Sequence, residues 1–190
     1  GEITVDDLCP GGHDGGHDGP SECTLNSLDD LAHEFEHNRA YIQIHTDDGE
    51  HPENTGPGDL LTPGEIRGDI GPGNDETTFV ADINVDQMVL TGIDDTTPWD
   101  SVTSSGTVVF NTGHHSDHID YTITADVDNV VGIHIHSGIP GENSHIHFVD
   151  IIPTDTSTRI DLNSGVPLTG EITVDDLCPG GHDGGHDGPS

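Results

Sequence analysis

The chain has 190 residues, of which 37 are acidic and only three are basic (Arg39, Arg67 and Arg159), giving a formal net charge of −34 with no lysine at all. That balance excludes nucleic acid and anionic lipid as partners, because both are held by basic patches. It suits the binding of cations, or a very salty medium in which counterions screen self-repulsion. No apolar run is long enough to cross a bilayer as a helix, so no membrane insertion is expected, and no signal peptide is visible.

Residues 1–8 alternate Ile3 and Val5 with polar residues and predict a strand. The first 21 residues, GEITVDDLCPGGHDGGHDGPS, return unchanged at 170–190, so the sequence repeats with a period of 169 residues. The expectation is one unit of a longer series followed by the start of the next, with Gly1 and Ser190 as cuts in a continuous pattern, the alternative being a duplicated terminal tag or an independent small repeat. Each unit then holds two cysteines. Cys9 and Cys23 are expected to form a disulfide around the glycine-rich loop, with Cys178 left for the next unit's equivalent of Cys23. An even count in a lysine-free, loop-rich chain points to an extracellular or cell-surface location. Within the loop the doubled GGHD offers His13 and His17 either as metal ligands or as parts of a flexible polar loop.

Ser27 is placed as the N-cap of a helix near residues 27–38, with Asp29 and Asp30 in the first turn and Leu28, Leu31, Ala32 and Phe35 as its apolar stripe. His33-Glu34-Phe35-Glu36-His37 is formally the H-E-x-x-H pattern of zinc proteases. Both histidines fall opposite the apolar stripe and no supporting protease layout follows, so they read as a solvated pair or a surface metal site.

From Ala40 onward the period is two, and the chain predicts strands to its end. AYIQIHT puts Tyr41, Gln43 and His45 on one face and Ile42 and Ile44 on the other. PGEIRGDI, TTFVADINV, SGTVVFNT and HIDYTITADV continue an all-β pattern, and the turn GHHSDH offers His114, His115 and His118. In VGIHIHSGIPGENSHIHFVDI a hairpin is expected that sets Ile135 opposite Ile146 and Ile133 opposite Phe148. The same register sets His136 opposite His145 and His134 opposite His147, about 5 Å apart at Cβ. Alternation puts both rings of a His-x-His on one side of a strand. Four imidazoles with His45 as a further partner suit copper or zinc, copper favoured, better than calcium.

These stretches resemble the CHRD domain, the module named after chordin. The resemblance rests on Ser105–Phe110 (SGTVVF), Tyr121–Ile123, Asn129–Gly138 (NVVGIHIHSG), Tyr41–Thr46 and Pro63–Gly68 (PGEIRG). The family's proline-rich segment is here Asp94–Trp99, and its G-x-N-G turn is Gly141-Glu142-Asn143-Ser144. In the family the HIHxG half comes before the PGEIRG half; here it comes after. Joining residue 169 to residue 1 restores the family order. On that frame 1–70 is the C-terminal half of one module, 71–169 the N-terminal half of the next, and 170–190 the start of a further repeat. The resemblance implies an antiparallel β-sandwich, immunoglobulin-like or superoxide-dismutase-like, usually extracellular and without established enzymatic activity.

The leading expectation is a structural subunit of an extracellular fibre or surface array, whose partners are copies of itself and histidine-bound metal ions. Neighbours would complete each other's sheets by strand exchange. The alternatives are a copper redox protein, dismutase-like or electron-carrying, and a calcium-stabilised adhesin using Asp47, Asp48, Glu50, Asp126 and Asp128. No nucleophile elbow or catalytic cysteine setting is present, so copper redox chemistry is the one enzymatic reading retained.

Overall fold

A computed structural model describes residues 23–46, 66–89, 103–113, 117–153 and 158–179. Helix α1 (Leu28–Glu36) begins at Ser27, whose hydroxyl accepts the Asp30 N–H at 3.1 Å. The Asp30 carboxylate in turn accepts the Asn26 N–H at 3.0 Å, which ties the residue before the cap back onto the first turn. Leu28, Leu31 and Phe35 face inward. The Phe35 ring inserts between Phe79 and Phe110, with ring centres 5.5 and 5.0 Å away, and pins the helix to the barrel interior.

Among the described residues eight strands follow: β1 (Ala40–Thr46), β2 (Ile66–Pro72), β3 (Thr78–Asn84), β4 (Ser105–Asn111), β5 (Ile119–Ala125), β6 (Val130–Ser137), β7 (His147–Ile152) and β8 (Leu168–Ile172). They form one antiparallel sheet in the order β7-β6-β1-β2-β3-β4-β5-β8. The all-β class with one short helix is thus as the residue periodicity predicts. Alternating apolar residues, such as Ile42 and Ile44 or Ile133 and Ile135, are fully buried on the inner face.

The sheet nearly closes on itself. Just beyond β8, Leu177 forms an antiparallel bridge with Val149 on the free edge of β7, and the Cys178 N–H donates to the Phe148 carbonyl at 2.9 Å. The chain after β8 thus runs from the β5 side of the sheet to the free edge of β7, the approach to a Greek key in which β5, β8, β7 and β6 follow one another.

One expectation needs correcting at this seam. Cys23 is bonded to Cys178, across 155 residues of sequence and 5.4 Å between Cα atoms, and so is not bonded to Cys9. The cause is the sequence repeat. Cys178 is Cys9 in its second copy, and that copy is the one the barrel draws in beside Cys23; Cys9 itself lies outside the described residues. The spans 1–70 and 71–169 contribute β1–β2 and β3–β7 to the same sheet, and the short β2–β3 turn is held by Gly73 N–H to Thr78 C=O at 2.7 Å.

Candidate metal centre

Strands β1, β6 and β7 place a group of imidazoles on the face opposite the core. The β1–β6 register sets Gln43 against His134 and Tyr41 against His136, with His45 one step further along the same face. On the other side of β6, His136 faces His147 and His134 faces Asp150. Ring centres are 4.8 Å apart for His45–His134, 5.8 Å for His134–His136, 6.5 Å for His45–His136, 4.5 Å for His134–His147 and 4.4 Å for His136–His147. Four imidazoles bound tetrahedrally at about 2.0–2.1 Å put their ring centres roughly 5 Å apart. Ligand atoms of His45, His134 and His136 lie within 4.8 Å of one another, and so do those of His134, His147 and Asp150.

The expected hairpin register does not hold in β7. Bulges after Ile133 and Ile135 insert extra residues into β7, so that His136 meets His147 and Asp150 takes the place opposite His134. His145 precedes the strand, is exposed, and does not join the cluster. Asp150 joins it instead, because the bulges bring residues three apart to the same face. Its carboxylate accepts from His147 Nδ1 at 2.7 Å. A carboxylate on one ring nitrogen fixes the tautomer and leaves Nε2 as the electron-pair donor, the usual outer support of a metal-bound histidine.

His136 is oriented in the same way. Its Nδ1 donates to the Ser144 carbonyl at 3.1 Å, and its Nε2 is buried with no hydrogen-bond partner among the described residues. A buried ring nitrogen with a free lone pair is costly unless something binds it. The electrostatics agree: burial, reinforced by His134 and His147, lowers the His45 pKa to about 3. Burial likewise holds His136 well below the ordinary histidine range, aided by His147, His134 and His45. Both rings are therefore neutral near pH 7, the state in which imidazole binds metal.

Two residues that the sequence did not single out for the site hold this arrangement in place. Tyr41 stacks on His136 with ring centres 5.0 Å apart and 4° between planes. Its hydroxyl donates to the Ser144 carbonyl and accepts the Ser144 N–H, both at 3.0 Å. On the other face of Tyr41 lies the guanidinium of Arg67, 3.6 Å from the ring centre and wholly buried. Arg67 pairs with Asp69 at 2.7 Å and donates to the carbonyls of Glu142 and Ile139 at 2.6 and 3.2 Å. It thereby clamps the turn between the two histidine-bearing strands. Gly138, at the start of that turn, has φ +145°, and a Cβ there would sit 3.0 Å from the Tyr41 ring.

The other candidates are scattered. His33 and His37 are exposed on α1 with ring centres 4.2 Å apart. His37 Nδ1 is within 2.9 Å of the His33 carbonyl, and no third ligand joins the pair among the described residues. His118 lies near Asp120 and Glu171, both exposed, on the β5–β8 seam. Asp126 and Asp128 are exposed beside the start of β6. His13, His17, His114, His115, Asp47, Asp48 and Glu50 lie outside the described residues. No protein-family model, curated protein or solved structure matches the chain.

Proposed function

We propose that this chain is a structural unit of an extracellular fibre or surface array of repeated CHRD-type modules, in which His45, His134, His136 and His147 hold a copper or zinc ion. The histidine cluster, with His134 and His136 buried and His147 supported by the Asp150 carboxylate, carries this reading. Nitrogen donors with one outer carboxylate favour copper or zinc over calcium, which takes oxygen ligands. The burial of His134 and His136, 4% and 5% exposed, favours a closed, structural ion over a catalytic one, which keeps an open coordination position. A metal bound only by the folded form stabilises it. The 169-residue period and the disulfide support repeated modules outside the cell.

The test is elemental analysis of the natively purified protein, copper and zinc titration of the metal-free form, and imaging of any assembly. One copper or zinc per 169-residue unit is expected, lost in a His134→Ala/His147→Ala variant, together with a regular axial repeat. A protein that takes up neither metal, or takes it up equally well without those histidines, would remove the metal centre. A monodisperse monomer at native salt would remove the fibre.

A further inference from the structure

Strand β8 and the residues just after it close the barrel, and most of the contacts that do so lie in the duplicated sequence. Ile172, 1% exposed, is the register partner of Ile119, also 1% exposed. Gly170 is the partner of Tyr121, and a Cβ at Gly170 would collide with the tyrosine hydroxyl and ring. Thr173 is capped by Asp176, which accepts from its N–H at 2.8 Å and its hydroxyl at 2.7 Å. Leu177 then bridges to Val149, and Cys178 bonds Phe148 and Cys23. Gly170, Ile172, Thr173, Asp176, Leu177 and Cys178 are Gly1, Ile3, Thr4, Asp7, Leu8 and Cys9 over again. Only Leu168 and Thr169 of β8 fall outside the copy.

The chain therefore carries two copies of the sequence that fills most of this slot. We propose that the slot between β5 and β7 is a docking site for residues 1–9 of a second copy of this chain, sealed by a disulfide from that copy's Cys9 to Cys23. This deepens the reading of the chain as a repeat unit and rests on it. The exchange is balanced in electrons, and in contacts from Gly170 onward; the pairs of Leu168 with Ile123 and Thr169 with Thr122 are not reproduced by residues 1–9. The incoming Cys9 thiolate attacks the Cys23 sulfur of the Cys23–Cys178 bond, a new S–S bond forms, and Cys178 leaves as a thiolate, so no oxidant is consumed. Since the displaced and entering strands are the same from Gly170 onward and differ by the Leu168 and Thr169 pairs, linkage depends on local concentration, which crowding of units along an array raises.

The local structure permits the release of β8. Leu162 is the last residue held to the barrel before it, by its N–H to the Val127 carbonyl at 2.8 Å. The following turn contains Gly165 at φ +74° and Val166 at 71% exposure. On the incoming side, the 13 residues between Cys9 and Cys23 can span roughly 45 Å when extended.

The test uses the full chain carrying Cys178→Ser, prepared separately with ordinary and heavy nitrogen. The two preparations are mixed, reduced, refolded with oxidised and reduced glutathione, and digested without reduction. The expected result is a Cys9–Cys23 linked peptide pair containing one light and one heavy partner, with covalent multimers on a non-reducing gel. Adding Ile3→Asp should abolish the mixed pair by placing a charge against Ile119; simple thiol proximity would leave it unchanged. Free thiols at Cys9 and Cys23, linked pairs carrying only one label, or mixed pairs indifferent to Ile3→Asp would each overturn the proposal. A wild-type fibre with an intact axial repeat alongside any of those results would leave the array standing with another joint, whereas absence of a fibre removes the array itself.

Discussion

At the residue scale, Asp150 matters through what it does to His147. Replacing its carboxylate by an amide removes the charge that fixes the ring's tautomer while keeping the volume. Asp150→Asn should weaken copper or zinc binding by about 10–100-fold, read by competition against a chromophoric chelator, with the fold retained by circular dichroism. The buried imidazoles also impose a pH dependence on the metal-free protein. A histidine in the unfolded chain titrates near 6.5, whereas His45 in the fold titrates at about 3. Between those values the unfolded chain binds a proton that the folded one declines. Stability is therefore fully present above about pH 6.5 and falls as the pH drops toward 3, by roughly 1 kcal/mol per pH unit for such a group. Urea unfolding in the presence of a chelator measures this, and His45→Gln should flatten the slope. An equal slope in the variant would assign the acid sensitivity to the carboxylates instead.

At the scale of elements, Arg67 on β2 ties together β1, through Tyr41, and the β6–β7 turn, through the carbonyls of Ile139 and Glu142. Arg67→Ala leaves those acceptors and Asp69 without their cation and should cost about 3–5 kcal/mol, measured by urea unfolding. Arg67→Lys should recover little, since an ammonium cannot reproduce the planar fork or its stacking on Tyr41. Much of this level was legible in the sequence. The strands follow the period-two pattern, and Ser27 marked the helix start because a short hydroxyl before an apolar stripe has one obvious use. The His-x-His of β6 and His45 of β1 were visible because alternation alone puts them on one face. The register of β7 was not, since its bulges arise from how Phe148 and Val149 both pack into the core, 7% and 1% exposed. That is a tertiary demand which moved His145 out and Asp150 in. Tyr41 and Arg67 stood in plain alternating segments, and only the folded turn gives them their role.

At the scale of the molecule, the choice between Cys9 and Cys178 could not be read from sequence, because identical segments carry identical local signals. Proximity in the chain favoured Cys9, whereas closure of the barrel brings in Cys178. In chain-entropy terms a bond across 155 residues stabilises by about 5 kcal/mol, against roughly 3 kcal/mol for a loop of about 15. The same bond has a mechanical consequence. Tension applied outside Cys23 and Cys178 passes from one sulfur to the other and leaves every strand between them unloaded. A pulled unit should therefore extend only by the segments outside the bridge, and should give up the length of its 155-residue loop only after a reductant has cut it, a step size that single-molecule force measurement can resolve. While the Cys23–Cys178 bond is intact, the barrel between the two sulfurs bears none of the load.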